Sequence, residues 1–344
     1  MLGHSIVGTN NMVNQLRYLA LGLSIFAAAC SAPAPDVAAA GAEIEIPADQ
    51  QIRTADPYAR GYTDDDFPRV QELAPGVYSY EQLRSAGEEK FTTVSLFVVT
   101  SDGVLVADGQ GSVEETARLI EHITNITDQP IRTVVVASDH GDHTAGNSAF
   151  SSEAVFLAHP TSAAALERSA ANAREGAAPV VLATELVEDR TVIQMGDTEI
   201  HVLFLGRAHT GGDLVVYLPE EKIMFMSEAF LHRVFPAMRS AFPSEWVAMI
   251  EVAQSMDVDI YVPGHGFVDH PSVLEAELAV YQGAIRVVIE EAERMRGEGL
   301  GMEEAQAQAF FGDMETWSLR ESQGSRAIQQ VYAELDGDLP GADR

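Results

Sequence analysis

Cysteine is almost absent from this chain of 344 residues, which holds one, Cys30. That excludes a disulfide framework and any cysteine-rich metal site. Basic residues are also scarce, 21 Lys and Arg against 52 Asp and Glu, for a formal net charge of −31. A surface so acidic repels a phosphate backbone, so no nucleic-acid partner is expected. Aromatics are sparse at 7% and the glycines are scattered, which excludes fibrous repeats, and no repeat of fixed period occurs. What remains is 46% hydrophobic, enough to rule out wholesale disorder and to build one large domain or two small ones.

Residues 18–29 form an apolar run too short to span a bilayer comfortably, and suited to the h-region of a secretory signal. Arg17 supplies a small positive n-region, and Met12 is an alternative start. The run ends at Ala-Ala-Ala-Cys30, followed by Ser-Ala-Pro-Ala-Pro. This resembles a bacterial lipoprotein signal in which Cys30 becomes a lipidated N-terminus, although Ala27 stands where Leu is usual. Plain cleavage among the alanines is the alternative. Export to the periplasm or outer membrane is expected either way. The Ala/Pro-rich residues 30–66 read as a linker, with the folded part starting near Phe67.

Beyond Gly76, β-like runs alternate with helical ones. Strands are predicted at 77–80, 93–100, 104–106, 131–137, 154–158, 191–195, 199–205, 213–218, 222–226 and 258–262. Ser101-Asp102-Gly103 predicts a hairpin turn. Helices are predicted at 112–124, with Val113, Ala117 and Ile120 on one face, and near 244–255. The tail from 271 is helical, with apolar stripes Leu274, Leu278, Tyr281, Ile285, Val288 and Ala327, Ile328, Val331, Tyr332, Leu335, broken at Gly297–Gly301. Strands and helices in alternation predict an α/β domain, 67–270, with a helical C-terminal extension, 271–344.

Four segments, each placed just after a predicted strand, collect the chemistry-bearing residues. They are Ser138-Asp139-His140-Gly141-Asp142-His143, Gly206-Arg207-Ala208-His209-Thr210-Gly211-Gly212-Asp213, Ser227-Glu228 and Pro263-Gly264-His265-Gly266. Imidazole and carboxylate at strand ends are the expected ligands of Zn²⁺ or a similar borderline cation. A lone histidine after a strand is more often a surface or core residue. Two histidines and an aspartate within four residues, followed by two further His-Gly turns, outweigh that reading. His4, His122, His159, His201, His232 and His270 keep it.

The pattern resembles the metallo-β-lactamase superfamily, which also contains glyoxalase II-like enzymes and lactonases. The resemblance covers roughly residues 76–270 and implies a four-layer αβ/βα sandwich with the metals at one end, between two sheets. Carried over motif by motif, it implies His140 and His209 as ligands of a first metal site and Asp142, His143 and His265 as ligands of a second. Glu228 stands where the family has a bridging aspartate. Ser138 stands where the family has the first histidine of its HxHxDH motif, so the first site has lost a strong ligand. One Zn²⁺ per chain is therefore expected rather than two, in the second site. Asp139 turning inward as a substitute is the less favoured alternative.

The resemblance implies a hydrolase in which bound metal supplies hydroxide at neutral pH and Asp142 orients it toward an ester, lactone, thioester or β-lactam carbonyl. The competing class is a degenerate relative that binds a small molecule without turnover. Substrate contacts are expected from the loop after strand 93–100, from segment 231–243 and from Arg207, Arg233 or Arg239. Trp246 and Trp317 are expected in the core.

Overall fold

The computed structural model of the chain describes residues 46–340; the expected signal segment and Cys30 lie outside that range. Among the described residues, no helix is long and apolar enough to cross a membrane.

The N-terminal half begins with β1 (Arg69–Ala74), β2 (Val77–Ala86), β3 (Glu89–Thr100) and β4 (Gly103–Ala107). Then come α1 (Val113–Ile126), β5 (Ile131–Val136), the single turn α2 (Gly141–Thr144), β6 (Val155–Ala158), α3 (Pro160–Ala171) and β7 (Glu185–Leu186). The other half contains β8 (Arg190–Met195), β9 (Thr198–Leu203), β10 (Val215–Leu218), β11 (Ile223–Leu231), α4 (Pro243–Gln254) and β12 (Ile260–His265). Helices α5 (Pro271–Gly297), α6 (Met302–Gln308) and α7 (Arg320–Leu335) follow. The strands pair in the order β7-β6-β5-β4-β3-β12-β11-β10-β9-β8, with the β1–β2 hairpin attached to β3. The halves join where β12 pairs with β3, through His265 opposite Thr93.

Strand alternation separates two apolar layers. Val104, Val106, Val134 and Val136 pack with Leu119 and Ile123 of α1 and Leu166 of α3. The intervening Leu105, Ala107, Val135 and Ala137 join the inner core with Ile200, Val202, Val216 and Phe225 from the other half. Each fully buried side chain of this size contributes about 1.5–3 kcal/mol. The arrangement is an α/β sandwich, and the predicted strands and helical tail appear in place.

Two expectations are corrected, and the packing of the helical tail is settled. Residues 46–66 are not wholly linker: Ala55 is buried, and the buried guanidinium of Arg60 donates to both carboxylate oxygens of Asp269 at 2.8 and 2.9 Å. The buried face of α1 is Thr116, Leu119 and Ile123, while Ala117 is exposed. The helix enters from the N-cap Ser112, which accepts from Glu115 N, and that cap sets the rotation of the helix one residue away from the expected stripe. The C-terminal helices belong to the same core, since Leu278, Tyr281, Ile285, Ile328 and Val331 cluster with residues of β11 and β12. Leu335 is exposed.

Candidate metal centre

β5 delivers Ser138 and the segment to His143, because a buried apolar strand ends there and Gly141 opens a tight helical turn. β9 is followed by the turn carrying His209, which Asp213 closes by accepting from Thr210 N (2.6 Å) and Thr210 Oγ1 (2.9 Å). Burial pushes the Asp213 carboxyl up to about 6. Glu228 and His265 lie within strands β11 and β12 rather than after them, contrary to the sequence reading. They meet because β11 and β12 are parallel neighbours and Gly264 lets the backbones touch: a Cβ there would sit 2.4 Å from the Ser227 carbonyl carbon.

All six expected residues converge. Asp142, His143, Glu228 and His265 form one group, and His140, His209 and Glu228 another. Glu228 is common to both. Its Oε1 lies 3.2 Å from His209 Nε2 and 3.5 Å from His265 Nε2; its Oε2 lies 2.9 Å from His140 Nδ1. Asp142 Oδ2 is 3.3 Å from His265 Nε2. Ring nitrogens face each other at 3.3 Å (His143 and His265) and 3.0 Å (His140 and His209). Close, mostly buried nitrogens and carboxylate oxygens aimed at shared points are a donor set that a divalent cation fits. Asp139 joins neither group.

The electrostatics follow from burial and proximity. Burial alone would raise the Glu228 carboxyl, but His140 and His209 hold it well below the ordinary carboxylate range. Burial would lower His140 and His265, yet Glu228 carries the first, and Asp142 with Glu228 the second, up to about 9. Asp142 is lowered, its burial outweighed by His265 and His143.

Ser138 contacts Glu228: its hydroxyl donates to Oε2 at 2.5 Å. It therefore occupies the oxygen that also faces His140.

Asp108, overlooked in the sequence, lies at the end of β4. Its Oδ1 accepts from Ala137 N (2.8 Å) and Ser138 N (3.3 Å), and its Oδ2 accepts from the Ser227 hydroxyl. His143 Nδ1 lies 3.0 Å from Oδ2, close enough for an ion pair though off the line of a hydrogen bond. Asp108 (φ +61°) and Ser227 (φ +48°) both adopt the left-handed backbone, each at a cost of about 1–3 kcal/mol. The readable signal was an Asp-Gly pair closing an apolar strand, a position like those of the four segments already singled out.

The expected substrate contacts fare unevenly. The 101–103 turn lies at the start of β4, the opposite end from Asp108, so it does not flank the site; the other end of β3 does, where Phe91 packs edge-on to His265 at 5.3 Å. Segment 231–243 does border the His209 turn, with Phe242 N donating to Ala208 O. Arg207 is paired with Glu245 and Arg233 with Glu277. Trp246 is fully buried, donates to Ala229 O at 2.9 Å and meets His209 edge-on at 5.3 Å. Trp317 is buried as well.

Comparison with known proteins agrees with this geometry. The profile of the Metallo-beta-lactamase superfamily matches residues 89–265, just over half of the chain. A metallo-beta-lactamase type 2 of Bacillus sp. (strain 170) is 22% identical over 210 residues, covering 60% of this chain and 79% of that protein. The 2,4-dinitroanisole O-demethylase subunit alpha of Nocardioides sp. (strain JS1661) is 23% identical over 176 residues, 50% of this chain and 52% of that subunit. The chain thus spans about half the length of that relative. A metallo-beta-lactamase structure from Pontibacter korlensis superposes with a TM-score of 0.54 at 22% identity, covering 62% of this chain and 98% of the other. By profile, fold and the convergence of its motif residues, the chain belongs to the metallo-β-lactamase superfamily.

Proposed function

We propose that the protein is a hydrolase that uses one Zn²⁺ ion, held by Asp142, His143 and His265 with Glu228 alongside, to cleave an ester, lactone, thioester or β-lactam. The observation that carries this reading is the convergence of those four side chains, three buried and Asp142 partly so, on one point. Zinc bound there would polarise a carbonyl oxygen and lower the pKa of water. The chain's residues do the rest. Asp142, ionised beside His265, would accept a hydrogen bond from water and orient it. Asp108 fixes the ring of His143, and Thr92 O, 2.8 Å from His265 Nδ1, fixes that of His265. Phe91 and Trp246 limit water on two sides of the cluster.

The relatives act on chemically different compounds by name, a dinitroanisole in one case and β-lactams in another, so the substrate is proposed here only as a class. A small molecule is the partner, and nucleic acid is not. Export, with Cys30 as a lipid anchor, accompanies the proposal.

Ser138 favours a second reading, a member that binds without turnover, because a ligand position is spent on a hydrogen bond to Glu228. Elemental analysis of the purified protein, with an ester, lactone and β-lactam screen, separates the two. About one zinc per chain with turnover supports the hydrolase. No zinc after incubation with it overturns that reading, and zinc without any turnover supports the second.

A further inference from the structure

The geometry points to Arg84 as an anion anchor beside the metal centre, so that the preferred substrates carry a carboxylate close to the bond that is cleaved. This rests on the hydrolase reading and names its substrate class.

Arg84 stands near the end of β2, in register with Phe91 of β3. Residues paired across antiparallel strands share a face, and here both members reach the site: Phe91 to His265, Arg84 to Asp142. The guanidinium lies over the backbone of Gly111, where a Cβ would come within 2.1 Å of Arg84 Nη1 and 3.1 Å of Glu115 Oε2. Glycine at 111 thus leaves the space that the guanidinium fills.

Its electrostatic position differs from that of Arg207 and Arg233, two of the three arginines considered for substrate contact. Arg207 and Arg233 each engage a glutamate through two nitrogens. The nearest acidic atom to Arg84 is Asp142 Oδ2, 3.6 Å from Nε, beyond hydrogen-bond reach, and no hydrogen bond of its guanidinium forms among the described residues. The side chain is 30% exposed. A guanidinium has five N–H donors in a planar fork that matches a carboxylate. At the edge of a centre rich in carboxylates, on a chain of net charge −31, such a donor set makes an acidic substrate bindable. An arginine needed only to neutralise Asp142 would sit in hydrogen-bond contact with it, as Arg60 does with Asp269 at 2.8 Å.

The test compares 4-nitrophenyl acetate with mono-4-nitrophenyl succinate on zinc-loaded wild type, Arg84→Ala, Arg84→Lys and Gly111→Ala, and measures succinate binding to each by calorimetry. Wild type should favour the anionic ester. Arg84→Ala should reduce the anionic-to-neutral ratio of kcat/KM about 10- to 100-fold, mainly through KM, the size expected of a lost charge-assisted contact. Arg84→Lys should retain part of the ratio, and Gly111→Ala should lower it by displacing the guanidinium. Succinate binding should weaken in the same order. Equal losses on both esters, or a fall in zinc content in Arg84→Ala, would reduce Arg84 to a positioning residue for Asp142 and overturn the inference. So would succinate binding that is undetectable in wild type or unchanged in Arg84→Ala. If neither ester is hydrolysed while succinate binding depends on Arg84, the hydrolase reading falls and the anchor stands. If the neutral ester is hydrolysed without preference for the anionic one, the reverse holds.

Discussion

The two halves of the ligand cluster share Glu228 but differ in what stands behind their imidazoles. In the second, His143 Nδ1 faces Asp108 at 3.0 Å and His265 Nδ1 faces Thr92 O at 2.8 Å. In the first, His209 Nδ1 is buried with no hydrogen-bond partner, and His140, the less buried of the pair, is turned toward Glu228. A ligand ring is oriented and made more basic by the acceptor on its far nitrogen. The second group has a hydrogen bond of that kind at His265 and an ion pair at His143, and the strained backbones of Asp108 and Ser227 are joined to each other behind His143 through one hydrogen bond. Ser138, standing where the resemblance implies a histidine, therefore falls on the half with less support behind its rings.

The sharpest way to break this comparison is to remove one histidine from each half. His143→Ala should abolish zinc retention and lower turnover more than about 100-fold, because even outer partners cost about 10- to 100-fold. His209→Ala should keep about one zinc per chain. Equal zinc loss in the two variants, measured by elemental analysis, would end the distinction between the halves.

Asp108→Asn keeps the shape and removes the charge behind His143. Zinc affinity, measured by competition with a chromogenic chelator, should fall about 10- to 100-fold. Retained affinity would mean that Asp108 serves only the backbone amides of Ala137 and Ser138 and the hydroxyl of Ser227.

Ser138→His tests the weaker half directly. It removes the hydrogen bond to Glu228 and restores an imidazole, so zinc content should rise from about one toward two per chain. A content that stays at one would place the weakness in the unsupported ring of His209 instead.

The smallest effect sharpens the contrast between carboxyls. Glu228 is held low by imidazoles, whereas burial pushes Glu81 from 4.5 up to about 7 despite Arg69 at 3.0 Å and Gln71 at 2.7 Å. A raised carboxyl takes up protons on folding between those values. Its contribution is fully present below about pH 4.5 and is lost as pH rises through about 7. Glu81→Gln should flatten that part of the profile of Tm against pH; an unchanged profile would assign it to other groups.

Much of this was legible in the sequence because it depends on local order. Buried strands such as 131–136 announce themselves as apolar runs, and the four motif segments put histidines, acids and glycines where strands end or kink. Ser138 stood out by its place in the motif, where the resemblance implies a histidine. The N-terminal layer 46–66 was not legible, since Ala/Pro-rich text gives no sign that Arg60 will meet Asp269, 209 residues away.

The sequence by itself determined the alternation of strands and helices and which histidines and acids stand in the motif segments, because these follow from side-chain chemistry and short-range periodicity. Only the tertiary structure decided which acid stands behind which imidazole, that Ser138 turns to Glu228, and that Arg84 reaches Asp142. Those contacts join β2, β4, β5 and β11, and the pairing of distant strands sets distances that no local pattern encodes.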